Sequence, residues 1–141
     1  MLESAGWMIR QTQPFQNALW TKMMSNCSLN AVSAITRTSN GVNLTSQPIY
    51  DFTGAIMEEV RAIAAAEDAE IAMTTEKRLS LAMRNSGFKT STLQDLEKGR
   101  PMEIEPIFAA AAAVGHAKGV PCPMLDLATE ILRFVEKSRR L

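Results

Sequence analysis

Lys22, Asn26, Asn30 and Ser33 punctuate an otherwise apolar stretch, LWTKMMSNCSLNAVSAI, at helical spacing. At about 100° per residue the four fall within an arc of about 80°, with Lys22 to Asn30 covering about 12 Å of helix axis. An ammonium beside two carboxamides can hold a carbonyl or hydroxyl oxygen. A lysine partly withdrawn from water also has its pKa lowered toward the range useful for proton donation. Lys22 is the only charge in the stretch. Asparagine is a mediocre helix former that prefers caps and turns, so two of them on the lysine's face need a reason beyond local propensity. Two reasons stay open. One is a cleft lined by donors; the other is a bundle interior in which Lys22 snorkels to solvent and the asparagines bridge helices.

A second polar stretch, KTSTLQDLEKGRPMEIEP, carries Ser91 and Glu103. Ser91 followed by Gln94 matches a capping box, and Gly99 can end that short helix in the left-handed conformation. Glu103 reads equally as a first-turn acid answering the dipole of the next helix. His116, next to Lys118, reads as a surface residue, and the methionines as scattered core filler.

The elements that must position these residues are helical. Periodicity predicts a first helix from about residue 15 to 36, ending before TSNGVNL, where Asn40-Gly41 supplies residues tolerant of positive φ. A second helix opens near Pro48 with Ile49, Phe52, Ile56, Val60, Ile63 and Ala64 inward, and Glu58, Glu59 and Arg61 as solvated surface. Thr74 or Thr75 can cap a third, which bears Leu79 and Met83 and ends at Asn85-Ser86-Gly87. Pro101 or Pro106 starts the next, whose alanine run allows a neighbouring helix close, and which ends near Gly119. A last helix from about residue 124 to 139 shows Met124, Leu127, Ala128, Ile131, Phe134 and Val135 on one side. Lys137, Arg139 and Arg140 answer the helix dipole in its last turns. The stretch GWMIRQ is the one strand candidate, so the fold class expected is all-α, with a long first helix packed in a bundle.

With 141 residues, 46% of them hydrophobic, the chain can bury the core of one domain. Fifteen basic and fifteen acidic residues cancel, and only the tail RFVEKSRRL gathers basic charge, so a grip on nucleic-acid phosphates lacks its footprint. Cys27 and Cys122 show neither CxxC nor CxH spacing, so no metal site or disulfide framework is indicated. The opening residues lack the pattern of a signal peptide, and no window reaches the length of a membrane span, so a cytoplasmic protein without a membrane partner is expected.

Taken together, WTKMMSNCSLN, SAITRTSNG, STLQDLEKGRPMEIE and the Gly-Val-Pro-Cys-Pro turn resemble, in order and spacing, the C-terminal domain of the ketopantoate reductase (2-dehydropantoate 2-reductase) family. The likeness covers nearly the whole chain. It implies a helical domain similar to those of the phosphogluconate dehydrogenase superfamily, with helix-mediated dimer contacts in some members. It further implies that Lys22 protonates a developing alkoxide, that Asn26 and Asn30 contact the substrate with Asn40 nearby, that Ser91 binds the substrate acid, and that Glu103 bonds its hydroxyl and supports catalysis. A pairing of Lys22 with Glu103, or a cavity shared by the two, is expected on the same ground.

The family reduces a small 2-keto acid with NADPH held by a Rossmann domain through a G-x-G-x-x-G turn. Glycines 6, 41, 54, 87, 99, 115 and 119 fit no such turn. Residues 1–13 are therefore expected to be the end of a nucleotide-binding domain and its linker, and residues 14–141 the substrate-binding domain, with no activity in this chain alone. The alternative is a stand-alone helical module that binds a small acid or mediates dimerisation.

Overall fold

The computed structural model describes residues 15–85 and 87–139, and all regular structure among them is helical. The strand candidate GWMIRQ and the linker at residues 1–13 lie outside the described residues. The first helix covers the predicted span in three pieces: α1 (Phe15–Ser25), a π-helical turn over Asn26–Asn30, and α2 (Ala31–Thr36). Trp20, Met24, Cys27, Leu29, Ala31, Val32 and Ala34 are buried along it, as the near-continuous apolar composition requires. Phe15 and Leu19 at its start are exposed.

Arg37 ends α2 in the left-handed conformation at φ 55°. The positive φ expected at Asn40-Gly41 is not there: those residues open the short helix α3 (Asn40–Asn43), with Asn40 and Gly41 buried. The reversal is held elsewhere. Thr38 carbonyl accepts from Ser33 Oγ at 2.8 Å and from Asn43 Nδ2 at 3.2 Å, so two side chains close the turn that glycine was expected to make. Ser33 thus faces inward, away from the polar line read from the sequence. The π turn explains this, because its wider winding shifts the phase of everything downstream relative to a straight α-helix.

Helix α4 (Gln47–Ala66) takes Pro48 in its first turn and buries Ile56, Met57, Val60, Ile63 and Ala64. It packs against α1, and against α5 (Thr75–Arg84), α7 (Ala110–Ala117) and α8 (Pro123–Ser138). Its polar residues are not simply a solvated face. Glu59 accepts from the backbone N–H of Met124 at 2.9 Å and Leu125 at 2.8 Å, supplying from α4 a cap for α8, whose own N-cap residue Cys122 makes none. Arg61 donates to the Ile71 carbonyl at 3.1 Å and to the Met73 carbonyl, tying down the loop after α4. Long-range partners of this kind leave no local pattern. Gly115 lets α7 lie close: a Cβ there would sit 2.8 Å from Ile63 Cδ1 and 3.2 Å from Cys122 Sγ.

Thr74 caps α5, its hydroxyl accepting from Lys77 N–H at 3.2 Å. Helix α6 (Ser91–Glu97) is capped by Thr90, whose hydroxyl accepts from Leu93 N–H at 3.3 Å. Ser91 is therefore the first helical residue and not the cap, and Gln94 donates to the Lys89 carbonyl at 2.9 Å. Gly99 adopts the expected left-handed conformation at φ 70°. A second π turn, Ile104–Ala109, carries Phe108, which is wholly buried, and leads into α7. The two π turns touch, the Cys27 thiol lying 3.9 Å from the Ile107 carbonyl. Burial pushes that thiol up to about 12, so it stays protonated and inert.

On α8 the buried stripe is Leu125, Ala128, Thr129 and Leu132, while Leu127 and Phe134 are 50% and 70% exposed. The expected face was rotated by part of a turn, because the helix carries apolar residues over more than half its circumference and the seam with α2 selects which of them are covered. Thr129 is accommodated in that seam by donating to the Leu125 carbonyl at 2.7 Å.

Candidate functional site

A cleft of about 300 Å³ opens where α1, the first π turn, α3, α5 and the start of α6 meet. Asn26, Asn30, Asn40 and Ser91 all line it. The π turn sets the two asparagines on its wall: its extra residue per turn widens the backbone there, a distortion that recurs at functional sites. Asn30 Nδ2 and Asn26 Oδ1 stand 3.5 Å apart, at the long limit of a hydrogen bond, so both carboxamides keep capacity for a guest. Asn40 is 7% exposed, held at the head of α3. Thr90 performs the capping, so the Ser91 hydroxyl is not used as a cap, and Ser91 lines the cleft.

Arg78 and Asn85 also line the cleft, and neither was singled out in the sequence. Arg78 lies on α5 and Asn85, seven positions on, directly follows that helix, with Leu81 and Ala82 between them, a stripe that could have been read from TEKRLSLAMRNSG had there been reason to separate Arg78 from its charged neighbours. Arg78 Nε donates to Ser25 Oγ at 2.7 Å, and burial pushes its guanidinium below the ordinary arginine value.

Lys22 is exposed one turn before Asn26 and outside the cleft lining, with no hydrogen bond or ion pair to any described residue. Glu103 lies elsewhere. It is exposed at the head of the second π turn, makes no capping bond, and lines a groove of about 400 Å³ with Met102, Arg133, Glu136 and Lys137. Among the described residues no ion pair joins it to Lys22, and neither groove contains both. The structure thus brings Asn26, Asn30, Asn40 and Ser91 together, sets Lys22 beside them along the same helix, and leaves Glu103 lining a separate groove.

One cluster of potential metal ligands forms away from the cleft. His116, Cys122 and Asp126 hold their ligand atoms within 4.8 Å of one another, a proximity that their spacing in the sequence did not suggest. His116 Nε2 and Asp126 Oδ2 bond at 2.9 Å. Burial, aided by Asp126 and Glu59, pushes the Cys122 thiol up to about 11. A metal there would have to displace the thiol proton and break the His116–Asp126 bond.

The profile of the ketopantoate reductase PanE/ApbA C-terminal domain matches residues 14–136. The chain belongs to this family. A 2-dehydropantoate 2-reductase from Mesorhizobium japonicum is 28% identical over 135 residues, covering 96% of this chain and 41% of the relative. The crystal structure of a 2-dehydropantoate 2-reductase from Methylococcus capsulatus superposes with a TM-score of 0.83 at 30% identity, covering 90% of this chain and 44% of that one. A PanE/ApbA family ketopantoate reductase from Ralstonia eutropha JMP134 gives a TM-score of 0.86 at 26% identity, over 99% of this chain and 47% of that one. The chain therefore spans less than half the length of these ketopantoate reductases, and its helical bundle corresponds to the family's C-terminal domain. Among the described residues, no helix is long and apolar enough to cross a membrane.

Proposed function

We propose that this domain is the substrate-binding and catalytic-acid half of an NADPH-dependent 2-dehydropantoate 2-reductase, which reduces ketopantoate to pantoate. The observation that carries the reading is the convergence of Asn26, Asn30, Asn40 and Ser91 on one cleft from three separate segments of the chain. NADPH would supply the hydride. The described residues do not fit it: the glycines among them lie within helices or in isolated turns, and none forms a glycine-rich strand-to-helix turn that could cradle a pyrophosphate. The cofactor's site is assigned to a preceding nucleotide-binding domain, with residues 1–13 as its last piece and linker and residues 14–141 as the helical domain.

This chain's own part is to bind, orient and protonate. The carboxamides and the Ser91 hydroxyl hold the acid with its ketone directed toward the open side of the cleft, and Lys22 gives the proton to the carbonyl oxygen as negative charge develops there. Lys22 is exposed one turn before Asn26, and a second domain covering it would exclude water from the proton transfer. Glu103, which lines a separate groove, is given no contact with the acid in this cleft, and a homodimer through the helical domain enters on family resemblance. The setting is cytoplasmic.

The test is turnover. The chain alone, given NADPH and ketopantoate, is expected to oxidise no NADPH above background. The same chain joined to the nucleotide-binding half of the Mesorhizobium japonicum relative is expected to turn over. A rate from the isolated chain, or none from the joined protein when it is folded and binds NADPH, contradicts the proposal.

A further inference from the structure

We infer that Arg78 is the residue that receives the carboxylate of the bound acid, as an anion clamp on the wall of the cleft. The inference rests on reading this cleft as the substrate site and adds to it a residue and a charge.

Three described arginines are partly buried, and they are treated differently. Arg61 donates to two backbone carbonyls and faces Glu58 at 3.6 Å; Arg139 donates to the carbonyls of Leu96 and Arg100 and lies 3.8 Å from Glu136. Arg78 has neither a carboxylate nor a carbonyl. Its one partner among the described residues is the Ser25 hydroxyl, 2.7 Å from Nε. A guanidinium withdrawn from water without a counter-charge is unfavourable, and proteins ordinarily satisfy it with an acid or with carbonyls.

The rest of the wall supplies no such acid, since among the described residues no Asp or Glu lines the cleft. Its polar groups are the arginine, carboxamides and hydroxyls, a donor-rich set that favours an anion. The bond from Nε to Ser25 fixes the side chain and leaves both Nη groups available. Two parallel N–H donors match the two oxygens of a carboxylate, and a preorganised fork loses little freedom on binding. Ser91 then adds a single hydroxyl bond to the same acid instead of carrying its charge. A neutral ketone or alcohol would gain little from Arg78.

The probe is pantoate, titrated into the chain by NMR or calorimetry, with pantolactone as a neutral counterpart that lacks the carboxylate. Arg78→Gln is expected to weaken pantoate binding about tenfold or more and to leave pantolactone unchanged. Arg78→Lys, which keeps the charge and loses the fork, is expected to fall between and serves if the Gln variant melts early. Pantoate binding by Arg78→Gln within about twofold of the parent, or, where that variant melts early, no loss at all in Arg78→Lys, overturns the assignment while leaving the cleft reading intact. A parent chain that binds neither compound removes the cleft reading itself, and the clamp with it.

Discussion

Lys22→Ala, in the protein completed with a nucleotide-binding domain, is expected to lower kcat for ketopantoate reduction by about 10² to 10⁴-fold, the usual contribution of a positioned general acid. The loss should appear equally in kcat and kcat/KM, because a proton delivered to the developing alkoxide stabilises the transition state and not the bound ketone. Lys22 makes no hydrogen bond or ion pair to any described residue, so little of the fold depends on it and the variant should melt with the parent. Lys22→Arg separates two roles. Guanidinium keeps the positive charge but holds its proton far more tightly than an amine. Activity that stays low in the Arg variant identifies a proton donor. Activity restored to within a few fold means that Lys22 acts by charge alone.

The second large effect concerns the fold that holds the cleft. Phe108→Ala is expected to cost about 3 to 5 kcal/mol, the range for emptying a buried aromatic site, against a total stability of about 5 to 15 kcal/mol for a domain. Phe108 is fully buried in the second π turn, where that turn meets the first. Thermal unfolding should shift down by about 10 to 20 °C. Phe134→Ala gives the contrast: at 70% exposure its removal should change stability by less than about 0.5 kcal/mol. A comparable loss from both variants would mean that α8 is seated with a different face inward.

That contrast also marks how far the sequence could be read. The first helix from residue 15 to 36, the long α4 beginning at Pro48, the Thr74 cap and the left-handed Gly99 follow from local rules, because the cause of each lies within a turn of its effect. Asn26, Asn30, Asn40 and Ser91 were legible as a set because they are unusual residues for their positions or match a known motif, and the fold does bring them together.

What could not be read depends on distant partners or on winding. Ser33 left the polar line because the π turn changed the helical phase, and nothing in NCSLN announces an extra residue in a turn. Ser91 passed for a cap because Thr90 beside it has the same chemistry. Arg78 was hidden among Lys77, Arg84 and Glu76, and only packing shows which of these charges turns inward. Glu59 looked like surface because the helix end that it caps lies sixty-five residues away in the chain.

The most direct measurement is an amide and side-chain NMR map of this chain titrated with ketopantoate. If the cleft binds the acid, the shifts should concentrate at the Asn26, Asn30 and Asn40 carboxamides and at the backbone of Arg78 and Ser91, with α8 silent. Saturable shifts centred instead on Glu103, Arg133 and Lys137, or none at any concentration, would contradict the assignment of the cleft as the substrate site.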